Sequence, residues 1–373
     1  MTIADFLAIR WGSIEGPLIE PPRFSPIIAD PSFLFPEETP DGTWELFAHS
    51  AWGIHRYSSL DGLAWRDRGL AIRNAMRPFV RKIGEDYFLF YEAYPPIALA
   101  LTALPVKVRW HSTIGLSRGA DLWNWSPRKT ILRPELAWTR DDARGESVSN
   151  PCLVAEPEPA GGGSPCSSSV LGPGSSTDLG SGLTGGPRWR LYYSASLVWI
   201  PDCGFCEPKH LALARRSAPD GPFTPENAPI ADPAADRMPD SATFGLAPSA
   251  ASELASRAGH SLLGAGSMKV IALDDGWVGL QNKIYRDAVG NSRSAIFILR
   301  SADGIAWRPA RPEPLLAPAP GWTSSHVYAC DCRYNRGDGS WYLYFNARDG
   351  WRIKDGVERI GRIVGHAAAA CRQ

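Results

Sequence analysis

Residues 76–94, MRPFVRKIGEDYFLFYEAY, decide the fold. A short apolar segment runs into a polar Gly-Glu-Asp turn, and an aromatic-rich segment follows, which is the pattern of an antiparallel hairpin. The pattern recurs upstream as ADPSFLF and DGTWELFAHS, between Asp30 and Ser50. Downstream it returns as SNPCLVAE from Ser149, resumed by PRWRLYYSAS from Pro187. It returns again as GSMKVIALDDGWVGLQNKIY from Gly266 and as HVYACDCRYNRGDGSWYLYFNARD from His326.

A second half follows each copy: another strand, a Ser/Asp-Gly turn and an aromatic. It reads HRYSSLDGLAW to Trp65, HSTIGLSRGADLWNW to Trp125, KHLALARRSAPDGPF to Phe223 and AIFILRSADGIAW to Trp307. In the fifth copy only IGRIVGHA remains before the C-terminus. Units of about four short strands, repeated with both halves in the same order, are the signature of a repeat architecture. Five of them predict an all-β fold, a five-bladed β-propeller forming a single domain over residues 1–373. A β-sandwich would explain the strands but not the constant order. The N-terminal segment around Phe6 to Trp11 is expected to supply the outer strand the last blade lacks. Alternation in Trp44-Glu45-Leu46-Phe47 and Trp341-Tyr342-Leu343-Tyr344 predicts half-buried strands.

Two stretches interrupt the repeat. Residues 156–187 are almost entirely Gly, Ser, Pro and Thr, a composition that cannot offset its ordering entropy, so a disordered surface insertion is expected. Residues 231–265 are expected to form a long loop over one face, with a short helix near Ala250 to Ala258. The remaining composition narrows the function. The 39 basic and 39 acidic side chains balance, which argues against a nucleic-acid partner and against a polybasic membrane anchor. No apolar run of ~18 residues exists to span a bilayer. The N-terminus carries Asp5 and no basic region before its short apolar stretch, so no secretory signal is visible and a cytoplasmic location is expected. Seven cysteines, an odd number, are read as mostly reduced thiols.

Inner strands line a propeller's axis, and their starts face its mouth. Asp30, Arg77, Asn150, Ser267 and His326 begin these strands at roughly equivalent places, and three share a form: Asp30-Pro31, Arg77-Pro78 and Asn150-Pro151. Polar groups converging in a concave site are what a ligand pocket needs. They could equally satisfy one another across a water-filled axis. Aromatics following the second strands, Trp52, Tyr94, Trp199, Tyr285 and Trp351, suit stacking on a sugar face, whereas Trp65, Trp125 and Trp307 are expected to pack between blades. Cys203-Gly-Phe-Cys206 and Cys330-Asp-Cys332, with His210 and His326 nearby, lack the second CxxC of a structural zinc site. A disulfide or buried free thiols are expected there.

The repeat, with Asp30-Pro31-Ser32, resembles the five-bladed glycosidase superfamily, including glycoside hydrolase families 43, 32, 68 and 130. The resemblance runs from about Ile27 to Gly365 and implies that Asp30 is a general base or nucleophile. It departs at two carboxylates: Phe79 follows Pro78 where family 43 has an Asp, and Ser149 stands where its acid Glu would be. Only Arg77-Pro78 remains of the family 32 Arg-Asp-Pro motif. The resemblance also implies an axial calcium or sodium ion near a blade-five His, a context His326 shares; no other cofactor is expected.

Glycoside hydrolysis generally uses two carboxyl groups, one protonated and one ionised. With Asp30 as one, Glu146 (RGESVSNP) and Glu207 (CGFCEPKH) are the candidates for the acid, and Glu92 (FYEAY) lies in the corresponding loop of blade two. Arg77, Asn150, Glu92, Trp52, Trp199 and His326 are the expected substrate-binding residues. The sequence therefore predicts a carbohydrate-acting, glycoside hydrolase-like enzyme. The alternatives are a glycan-binding propeller without catalysis, and a phosphorylase or glycosyl transferase with Arg77, Arg81 or Lys209 as anion partners.

Overall fold

A computed structural model describes residues 1–96, 98–101, 108–156, 188–234 and 262–367. Almost all of the 156–187 insertion, most of the 231–265 loop and the helix expected near Ala250 to Ala258 lie outside the described residues. The rest is a five-bladed β-propeller. Its inner strands are Ala29–Leu34, Ala75–Ile83, Val148–Ala155, Leu262–Leu273 and His326–Asn335, and each pairs antiparallel with the middle strand that follows it. The inner strands also contact one another in sequence around the ring, the fifth touching the first.

Blades one to four end in their own outer strands, Arg66–Arg73, Lys129–Leu132, Thr224–Pro225 and Arg308–Pro309. Among the described residues, blade five has none after Glu358–His366. Its edge is instead covered by the N-terminus: Arg10–Trp11 pairs with Gly365 and His366, and Glu15–Ile19 pairs with Ile360 and Arg362. Closure thus involves more chain than the expected Phe6–Trp11, and Phe6 itself lies on a short helix, Ile3–Leu7. The fully buried Phe6 meets Trp341 of blade five edge-on at 5.0 Å.

The core lies between blades. Phe33, Trp44 and Leu46 of blade one pack with Tyr344 and Ile360 of blade five, and Val278 and Ile296 of blade four with Leu343 and Phe345 of blade five. Middle strands are consequently buried on both faces, which corrects the half-buried expectation. Trp44 to Ser50 is buried throughout, and Glu45 within it is neutralised by Arg56 at 2.7 and 2.9 Å. The turn tryptophans do pack between blades: Trp65 on Tyr344, Trp125 on Phe47 and Trp307 on Tyr192. In two copies the preceding blade's tyrosine also donates to the turn carbonyl, Tyr344 to Gly62 at 2.7 Å and Tyr192 to Gly304 at 3.0 Å. The Ser-x-Asp-Gly turn is what presents that carbonyl, since Ser59 and Ser301 each accept the glycine N–H at 2.9 Å.

Candidate active site

Every inner strand begins with a β-bulge, and the registers leave two residues unpaired in each: Asp30-Pro31, Arg77-Pro78, Asn150-Pro151, Ala265-Gly266 and Tyr328-Ala329. Asp30, Arg77 and Asn150 have φ of 53°, 55° and 50°. This left-handed conformation costs a residue with a Cβ about 1–2 kcal/mol, and a following proline restricts it further. Strain of this kind concentrates at functional sites. Blade four uses Gly266, φ 62°, where a Cβ would lie 2.2 Å from the Asn282 carbonyl oxygen. The registers correct two of the expected equivalents. Ser267 lies one residue past its bulge, and His326 two residues before Tyr328, which holds the blade-five position.

Three carboxyl groups from different blades converge here. Glu207 sits on a hairpin in which Leu197–Ile200 pairs with Phe205–Pro208, beyond the last inner-strand partner, Ala195. The hairpin lifts Glu207 over the axis, where it is 8% exposed. Burial pushes its carboxyl up to about 8; Glu358 and Asp30 act in the same sense, and Arg77 and Arg348 oppose them. Blades one, three and five are not all neighbours, so this mutual influence exists only across the axis. Glu358 opens the third strand of blade five and is tied to blade one by its backbone, its N–H donating to Pro26 at 3.0 Å and its carbonyl accepting from Ile28 at 3.1 Å. Burial raises its carboxyl to about 7, opposed chiefly by Arg348. Asn346 links two of the three, accepting from the Asp30 N–H at 3.0 Å and donating to Glu358 Oε1.

Asp30 Oδ2 lies 3.3 Å from His49 Nδ1. Burial lowers the His49 imidazole's affinity for a proton, against the pull of Asp30, and the Arg77 N–H donates to His49 Nδ1 at 3.3 Å. The Arg77 guanidinium donates to Glu92, which also accepts from Trp110 Nε1 at 2.9 Å. Glu92 is fully buried within the middle strand Asp86–Ala93, not on a loop. Its double engagement makes it the partner that holds Arg77.

Asp30, Arg77, Glu92 and Glu207 are therefore brought together. Glu146 is held elsewhere, on a small rim sheet by His111 at 2.7 Å and Arg140 at 3.0 Å; none of its hydrogen bonds or ion pairs involves Asp30, Arg77 or Glu207. Asn150 is buried and donates to Ser149 at 3.4 Å. Trp199 is 43% exposed on the hairpin of Glu207, and Trp52 is 52% exposed with Nε1 donating to the Arg23 carbonyl. Tyr94 and Tyr285 are buried, and Trp351 packs on His326.

His326, near which the resemblance implied an axial ion, has both ring nitrogens beside side-chain groups of the protein. Nδ1 lies 3.1 Å from Ser325 Oγ, and Nε2 lies 3.4 Å from Ser292 Oγ and 3.6 Å from Cys203 Sγ. Burial, then Arg348 and Arg293, hold the ring neutral, down to about 3. Cys203 and Cys206 are free thiols rather than a disulfide, as are Cys330 and Cys332. Among the described residues, no group of three or more His, Cys, Asp or Glu is arranged to hold a metal.

Glu358, Tyr328, Arg348 and Asn346 were not found by sequence reasoning. Glu358 lies two residues before the IGRIVGHA segment, where nothing in the spacing singles it out. Tyr328-Ala329 lacks the proline that marks three of the other bulges, so the alignment slipped to His326. Two open cavities lie off the axis, one of about 190 Å³ between blades three and four and one of about 340 Å³ at the rim around His111 and Glu146. Neither is lined by Asp30, Arg77, Glu207 or Glu358.

No protein-family model matches the sequence, and no curated protein matches it. Solved structures do. A thermostable family-43 glycoside hydrolase aligns with a TM-score of 0.52 at 13% identity, covering 90% of this chain and 89% of its own. An α-L-arabinanase from Cellvibrio cellulosa, complexed with arabinohexaose, aligns at 0.51 and 14%, covering 90% and 91%. An N-acetylgalactosamine deacetylase from F. plautii, in complex with blood group B trisaccharide, aligns at 0.55 and 12%, covering 96% and 95%. At these identities the likeness is one of fold, and fold alone does not define chemistry.

Proposed function

We propose that this protein is a glycoside hydrolase acting in the mouth of the propeller, with Glu207 as general acid and Asp30 as base or nucleophile. The observation that carries the reading is Glu207: a buried carboxyl raised to about 8, beside Asp30 and Arg77. Such a group keeps its proton at neutral pH and can give it to a departing glycosidic oxygen, which an ordinary glutamate cannot do efficiently. Asp30 stands in a strained inner-strand position, its backbone fixed by Asn346 and its carboxylate beside His49. Arg77, fastened by Glu92, orients it by charge. Trp199, on the hairpin of Glu207, offers a stacking face for the sugar. The glycosidases and saccharide complexes among the fold neighbours support a carbohydrate substrate.

The phosphorylase alternative draws less support, because Arg77 is engaged by Glu92 and Arg81 by Asp331. The test is a panel of aryl glycosides and oligosaccharides scored for sugar release, followed by Asp30→Asn and Glu207→Gln. Each substitution is expected to lower kcat on a responsive substrate by about 10²–10⁴-fold, the range of general acid–base contributions. Unchanged turnover in Asp30→Asn would sink the assignment. Saturable sugar binding without turnover in wild type would favour the non-catalytic alternative.

A further inference from the structure

The ring of bulge positions contains one residue with unused hydrogen-bonding capacity. Tyr328 occupies in blade five the place that Asp30, Arg77 and Asn150 occupy in theirs. Its side chain is 8% exposed, and its hydroxyl has no hydrogen-bond partner among the described residues. The ring is fixed by stacking on His326, centroids 5.3 Å apart and 3° from parallel. Glu207, Glu358 and Arg348 all act electrostatically on the hydroxyl, which sets it within the same axial cluster as the proposed acid. A buried hydroxyl without a partner costs free energy that a hydrogen-bonding ligand group would recover.

We infer that the Tyr328 hydroxyl is a substrate-binding group that takes a ring hydroxyl of the glycone and sets that sugar against Glu207. This rests on the carbohydrate reading above. Glu358, on the third strand of blade five, acts on the same hydroxyl and frames the same subsite. The class of ligand is an uncharged sugar hydroxyl, because a phenol hydroxyl both donates and accepts, as a sugar hydroxyl does.

Tyr328→Phe separates a substrate role from a structural one, since it removes only the unpartnered oxygen. The melting temperature of the variant is expected to equal or exceed that of wild type. On whichever glycoside wild type turns over, kcat/KM is expected to fall at least about tenfold, one lost hydrogen bond in a desolvated site. Among monodeoxy analogues of that glycone, one should react equally with both proteins, because it lacks the hydroxyl that Tyr328 takes. A kcat/KM within twofold of wild type overturns the inference, as does a melting temperature lowered by several degrees with kinetics unchanged. If wild type hydrolyses nothing, calorimetric binding of the same saccharides decides. Binding lost in Tyr328→Phe keeps the subsite while hydrolysis fails, and no saccharide binding by wild type overturns both.

Discussion

Replacing Glu207 by Gln tests the physical basis of the site without knowing the substrate. The side chain is buried, and its carboxyl is raised from 4.5 to about 8. The sign follows from proton counting: above 4.5 the unfolded chain has released a proton that the folded protein still holds. Stability therefore falls as pH rises, until the folded group also ionises near 8. At about 1.36 kcal/mol per pKa unit, wild type loses about 4 kcal/mol between pH 5 and pH 9 through this group. The glutamine variant, uncharged throughout, loses none of it. With an unfolding entropy of about 2.1 cal/mol/K per residue over 373 residues, the variant should gain about 5 °C on wild type across that range. The assay is thermal unfolding of both proteins by calorimetry or circular dichroism at each pH, where other titrating groups cancel in the difference. A melting-temperature difference constant to about 1 °C from pH 5 to 9 would refute the reasoning. So would a relative gain by wild type at pH 9, which would mean that attraction to Arg77 outweighs burial.

Two further substitutions test the scaffold. Asp331 is buried, held down to about 2 against its burial by Arg81, and it accepts from Arg81 at 2.8 and 2.9 Å and from Ser32 at 2.9 Å. Asp331→Asn leaves Arg81 without its counter-charge, and a loss of about 3–5 kcal/mol is expected by denaturant unfolding; a loss under about 1 kcal/mol would show that the axial pair is not structural. Phe6→Ala removes the buried ring that fastens the N-terminal segment to blade five and should cost about 3–5 kcal/mol. If it does not, ring closure rests on the strand pairing of Arg10–Trp11 and Glu15–Ile19 alone.

The site was only half legible, for a physical reason that particular residues illustrate. Asp30, Arg77 and Asn150 were visible because a proline follows each, and the proline marks the strained start of an inner strand. Tyr328 has the same place without the proline and was passed over for His326. Glu207 was visible as a carboxylate near the tip of blade three, but so was Glu146. Local pattern could not separate the two, because what distinguishes them is which way two neighbouring segments pair. One pairing lifts Glu207 over the axis, and the other gives Glu146 to His111 and Arg140.

The architecture is a property of the sequence taken alone. Strand, turn and aromatic recur in one order in four of the five units, and the turn tryptophans Trp65, Trp125 and Trp307 each need a neighbouring blade to bury them, so the repeat implies its own ring. Chemistry along the axis is different, because it depends on groups far apart in the chain. Asp30, Glu207 and Glu358 come from three blades, and their influence on one another exists only once the ring has closed. The raised carboxyl groups of Glu207 and Glu358 follow from burial and from charges brought close by that closure, and the tertiary structure alone decides them.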